Sequence, residues 1–154
     1  MKFKTAIIIG ASSGIGREIV RILASQGTTV AAVARRMPML DELVAEFPGK
    51  IIAFEHDVNN TAEVPDLFLE ITKQLGGLDL FVYNSGVMPE VESNEFSFAK
   101  DMDMVNVNMV GAIAWCNQAA NRFQNTKHGS LVGIGSVAGF GSGIRCQVCR
   151  PGSR

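Results

Sequence analysis

The stretch Ile7–Val20 reads IIIGASSGIGREIV, and its three glycines, Gly10, Gly14 and Gly16, stand between two different periodicities. Before them, Thr5–Ile9 is a short unbroken apolar run, the pattern of a strand buried on both faces. After them, GIGREIVRILASQG has helical period; it puts Ile15, Ile19, Ile22 and Leu23 on one stripe and stops at Gly27. Glycine at such a junction permits a tight turn and close backbone approach, and the free N–H groups at the helix start attract a pyrophosphate. The segment therefore predicts a dinucleotide turn made of Gly10, Gly14, Ile15 and Gly16, with the Ser12 and Ser13 hydroxyls as added donors.

The same alternation continues outward. Apolar runs at Thr28–Ala34, Ile51–Phe54, Leu78–Tyr83 and Leu131–Ile134 predict four more strands. Between them, MLDELVAEF predicts a helix ending before Pro48-Gly49. Next, Asn60 with Glu63 forms a capping-box pattern ahead of the stripe Leu67, Phe68, Ile71 and Leu75. A fourth helix begins between Phe98 and Met104 and runs to about Thr126. Right-handed crossovers lay such strands out as a doubly wound, Rossmann-like parallel α/β sheet of order 3-2-1-4-5. Residues 1–139 form this domain; residues 140–154 belong to no unit of it.

Composition narrows the partners. With 154 residues, 47% hydrophobic and 19% charged, the chain has the balance of a globular core. A net charge of -1 with scattered Lys and Arg offers no field for nucleic acid, so a small-molecule partner is expected. The N-terminal apolar run is too short for a signal or membrane segment, which makes a cytoplasmic location the expectation. Cys116, Cys146 and Cys149 form no disulfide framework, and the Cys-x-x-Cys of Cys146 and Cys149 lacks the further ligands of a zinc site. No metal is expected.

Four further motifs follow in order: Asp57-Val58 after the third strand, YNSG at Tyr83–Gly86, VNMVG at Val107–Gly111, and GIGSVAG at Gly133–Gly139. With the glycine turn, these resemble the short-chain dehydrogenase/reductase family over about nine-tenths of the chain. The resemblance implies that Asp57 and Val58 hold the adenine. It gives Asn84, Ser85 and Gly86 to the cofactor, Asn108 to a proton relay and Ser136 to polarising the substrate oxygen. Other readings stand beside these: Asp57 as a loop-holding acceptor, Asn84 as structural, Asn108 as a solvated helix residue, Ser136 as a loop serine. Tyr83 replaces the family's first Asn.

The second strand ends in Ala34-Arg35-Arg36, where an NAD-preferring protein would place a carboxylate on the ribose; the next acid is Asp41. Arg35 and Arg36 suit a 2′-phosphate, so NADP is expected over NAD. The resemblance implies hydride transfer between NADP(H) and a carbonyl or alcohol. It also implies a Tyr-x-x-x-Lys pair about a dozen residues after Ser136, where the sequence reads IRCQVCRP. The tail after Phe140 holds two of the three cysteines, three of the eight arginines and no acid. It is expected to be foreign to the fold, the chain to be an interrupted enzyme with impaired activity, and its open sheet edge to favour a homo-oligomer or aggregation. A non-catalytic NADP-binding or subunit-pairing protein is the alternative, with a Rossmann methyltransferase third.

Overall fold

A computed structural model describes residues 3–90, 92 and 95–135. Ser136 and the whole of 140–154 lie outside the described residues. Five strands, β1 (Thr5–Ile9), β2 (Thr29–Ala34), β3 (Ile51–Glu55), β4 (Leu80–Tyr83) and β5 (Ser130–Gly133), form one sheet of order β3-β2-β1-β4-β5. All four pairings are parallel. The expected order is thus observed, with the strand sequence reversing direction between β1 and β4, where a doubly wound sheet opens a crevice at its carboxyl edge.

Alternation along the strands sends successive residues to opposite faces. Ile7, aligned with Ala31 and Phe81, faces α3 (Val64–Leu75) and α5 (Gly111–Thr126); Phe68, Phe81 and Trp115 form the aromatic centre of that layer. Ala6, Ile8, Ala32 and Val82 face the other way, toward α1 (Gly14–Ser25) and α2 (Met37–Glu46). Each large apolar side chain buried this way contributes about 1.5–3 kcal/mol relative to exposure. A short helix, α4 (Phe98–Val105), enters α5 through a π turn at Asn106–Val110.

Two local expectations are corrected. In α1 the buried residues are Gly16, Val20 and Ala24, one i, i+4, i+8 row; of the expected stripe Ile19 and Leu23 pack on the core at its edge, while Ile15 is 62% and Ile22 55% exposed. The cause is at the helix start, where Gly16 sits against Gly10 and Asn84 more closely than any side chain could. That contact rotates the smallest face inward. At α3 the capping box does not form: Asn60 makes no side-chain cap, a 3₁₀ turn Thr61–Glu63 leads into Val64, and the Glu63 carboxylate lies 3.6 Å from His56 Nδ1. Tertiary pairing with His56 takes the acid that local capping would have used.

Candidate functional site

The turn after β1 packs three chain segments at distances that only glycine allows. Gly10 (φ 83°) and Gly14 (φ 55°) adopt left-handed backbone. The N–H groups of Gly10 and Ala11 both donate to Val33 O, at 2.9 and 3.2 Å, tying the turn to β2. On the β4 side, Asn84 N donates to Ile9 O at 2.9 Å and its Nδ2 to Gly10 O at 3.2 Å. A Cβ on Gly10 would stand 2.7 Å from Ser85 N, and one on Gly16 would overlap Gly10 O and lie 2.6 Å from Asn84 Nδ2.

Above this turn is a cleft of about 430 Å³. The glycine segment lines it with Gly10, Ser12, Ser13, Gly14 and Ile15, the end of β2 with Arg35 and Arg36, and the end of β4 with Asn84, Ser85 and Gly86. Val58 closes it from the β3 side. Gly16, Asp57 and Asn108 are not part of this lining.

The two arginines play different geometric parts. Arg36 Nη2 donates to Ser12 Oγ at 3.0 Å and to Ser13 Oγ at 2.7 Å, folding its guanidinium over the glycine turn. Arg35 stays mostly exposed, with Nη1 3.9 Å from Asp57 Oδ2. Asp57 Oδ1 accepts from Asn59 N at 3.0 Å, closing its own loop. The loop-holding reading of Asp57 is therefore present in the geometry, and its second oxygen faces Arg35.

Asn108 sits in the π turn, and both ends of its amide bond one residue. Oδ1 accepts from Val87 N at 2.7 Å and Nδ2 donates to Val87 O at 2.8 Å. Tyr83 is buried at the end of β4 and its hydroxyl donates to Val107 O at 2.6 Å. Burial is the chief cause that pushes the Tyr83 phenol well above its ordinary value, with Cys116 adding to it.

His56 was not anticipated from the sequence. It is buried, lines the cleft, and meets Trp115 edge to face at 5.4 Å between ring centres. Desolvation lowers its ionisation below the usual histidine range, although Glu63 and Asp57 act the other way. Its place at the carboxyl end of a predicted strand, one residue before Asp57, was the available signal. Among the described residues no group of three or more His, Cys, Asp or Glu is placed to hold a metal ion.

A doubly wound parallel sheet with a glycine-lined crevice at its reversal point is the architecture of a dinucleotide-binding domain. Comparison with known proteins narrows the class. Residues 4–148 match the short chain dehydrogenase family, and the chain belongs to it. The chain is 32% identical over 143 residues to an uncharacterised oxidoreductase of Myxococcus xanthus, covering 91% of this chain and 56% of that protein. It is 30% identical over 141 residues to carbonyl reductase family member 4 of Xenopus tropicalis, covering 92% of this chain and 59% of that one. The chain thus spans little more than half the length of these curated relatives. A short-chain dehydrogenase from Streptomyces avermitilis superimposes with a TM-score of 0.81 at 27% identity, covering 88% of this chain and 50% of that one. ElxO, solved with NADPH bound, shares the fold with a TM-score of 0.78 at 24% identity, covering 89% and 56%. The family consists of oxidoreductases that use a nicotinamide dinucleotide and act on small molecules. No helix among the described residues is long and apolar enough to cross a membrane.

Proposed function

We propose that the cleft binds NADP(H) in preference to NAD(H) and that the domain serves hydride transfer between that cofactor and a small carbonyl or alcohol. The observation that carries the reading is the Arg36 guanidinium held by the Ser12 and Ser13 hydroxyls beside a strand end that offers Ala34 in place of an acid. A 2′-phosphate there would meet a charge with several donors, whereas an unphosphorylated ribose would find no carboxylate. The start of α1 fits a pyrophosphate: its N-cap Ser13 makes no side-chain cap, and its first turn holds no acid. Its leading N–H groups are thus open to an anion. Gly10, Gly14, Ile15 and Gly16 would hold the pyrophosphate, Val58 with Asp57 the adenine side, and Asn84, Ser85 and Gly86 the path toward the nicotinamide. When bound, the cofactor supplies the hydride.

The test is calorimetric. NADPH is expected to bind more tightly than NADH, and Arg36→Ala and Arg35→Ala each to weaken NADPH. One lost charge-assisted contact is worth roughly 1.5–3 kcal/mol, about ten- to a hundredfold. Equal affinities for the two cofactors, or unchanged NADPH binding in both variants, would sink the preference.

Turnover is a separate matter. Ser136 and Asn108 are proposed to orient the substrate oxygen and a water. Proton delivery needs a further acid, and the 154 residues hold one tyrosine, Tyr83, whose proton is committed to Val107 O. A positioned general acid contributes typically 10²- to 10⁴-fold, so these residues alone are proposed to reduce carbonyls slowly. The commitment of the Tyr83 hydroxyl to Val107 O leaves room for a second reading, an NADP-binding or subunit-pairing protein without catalysis. NADPH binding without NADPH oxidation against a panel of aldehydes and ketones supports it; turnover abolished by Ser136→Ala excludes it. Self-association through β5, whose Val132 is 42% exposed, is also proposed, in a cytoplasmic setting, and light scattering would detect it.

A further inference from the structure

We propose that Tyr83 is a positioning residue: its hydroxyl holds the π turn of Asn106–Val110 in register and thereby sets the Asn108 amide against Val87. The hydrogen bonding of the turn carries this. In an α-helix the N–H of Gly111 would donate to Val107 O, four residues back. Here it donates to Asn106 O, five residues back. Val107 O accepts instead from the Tyr83 hydroxyl, at 2.6 Å and away from solvent. The phenol thus replaces the helix's own donor at the carbonyl where the ladder shifts.

Sterics close the alternative from the other side. A Cβ on Gly111 would lie 2.9 Å from the Tyr83 hydroxyl, 3.0 Å from Val58 Cβ and 3.1 Å from Val58 O. Glycine therefore lets the phenol and the β3–α3 loop press on the helix backbone together. Consequences follow for Asn108, one residue beyond the carbonyl that Tyr83 holds. One residue of register is about 100° of helix rotation, enough to swing its amide off the Val87 backbone. Both Asn108 bonds to Val87 then depend on a hydroxyl twenty-five residues earlier in the chain.

The inference rests on the functional reading only for what the clamp serves; the coupling itself needs no cofactor. Amide hydrogen exchange of the cofactor-free chain tests it, with Tyr83→Phe, Asn108→Ala and the double variant compared. Tyr83→Phe is expected to speed exchange at the Val87 amide about tenfold, the size of one net hydrogen bond, and to leave the Ile8 amide at its wild-type rate. Asn108→Ala is expected to do the same, and the double variant to add nothing to either. A wild-type Val87 rate in Tyr83→Phe, equal acceleration at Ile8, or effects that multiply in the double variant would each overturn the proposal. Should Tyr83→Phe fold poorly, the intact chain still decides. Tyr83 is its only tyrosine, so the resonance Raman signature of that phenol reads its hydroxyl directly. A donating hydroxyl, whether or not it also accepts from Ser85, supports the proposal and one that does not donate refutes it. NADPH affinity is measured on the same samples, so that a chain without cofactor binding but with the Val87 effect fails the function alone.

Discussion

Two turns meet at the carboxyl edge of the sheet, and they are held differently. The turn between β1 and α1 is glycine-built: Gly10 and Gly14 take left-handed backbone, and Gly10 and Gly16 let β1, α1 and β4 touch. The turn between α4 and α5 has one glycine at its end; Tyr83 reaches its Val107 O from β4, and its own Asn108 bonds outward to Val87. In the first, local residue type forces the shape. In the second, a hydroxyl from β4 occupies a carbonyl of the shifted helical ladder. The lesson is that a backbone conformation only glycine tolerates is written in the chain, whereas a helix register is a choice made by contacts.

The contrast can be broken most directly at Gly16. In Gly16→Ala the Cβ would overlap Gly10 O, which is backbone and cannot rotate away. Destabilisation of roughly 3 kcal/mol is expected by urea denaturation, with loss of NADPH binding, since overpacking at a site that cannot yield lies at the upper end of 1–3 kcal/mol. A variant as stable as the parent would show that the first turn is as adaptable as the second.

Gly111→Ala is the matching change in the π turn. Its nearest neighbours stand at 2.9 to 3.1 Å, and one is the tip of a side chain, so the structure can relax by a few tenths of an ångström. About 1–2 kcal/mol is expected by the same measurement. A larger loss than for Gly16→Ala would reverse the ranking.

The smallest effect concerns His56, in the loop whose Val58 backs the second turn. Burial lowers its ionisation in the folded chain, so below the ordinary histidine value of about 6.5 the unfolded chain binds the additional proton. The stability of the neutral ring is complete above that pH and is lost as pH falls from about 6.5 through the folded value. Denaturation at pH 7.5 and 5.5 should therefore show a larger acid loss in the parent than in His56→Gln. Parallel losses would mean that the buried ring does not sense the proton.

Particular residues mark how far sequence reading reached. Gly10, Gly14, Gly16, Ser12, Ser13 and Arg36 were all legible, because strand, glycines and helix follow one another within one short segment and the second strand ends beside them. Of the stripe Ile15, Ile19, Ile22 and Leu23, Ile19 and Leu23 pack on the core while Ile15 and Ile22 are exposed, because periodicity gives the width of a stripe but not which edge the closest contact draws inward. Glu63 was read as a cap and faces His56, because two partners competed and only one is local. Asp57 was visible as a candidate in either of two roles, and the geometry contains the local one.

By itself, then, the chain of residues determined the strand and helix order, the doubly wound sheet, the glycine turn and the basic end of β2. Each follows from local periodicity or from a backbone angle that one residue type allows. Only the tertiary structure decided which of the two arginines folds over Ser12 and Ser13, that His56 lies against Trp115, and that α4 passes into α5 through a π turn held by Tyr83. Those are pairings between segments far apart in sequence, and a carbonyl with two possible donors takes the one that packing brings within reach.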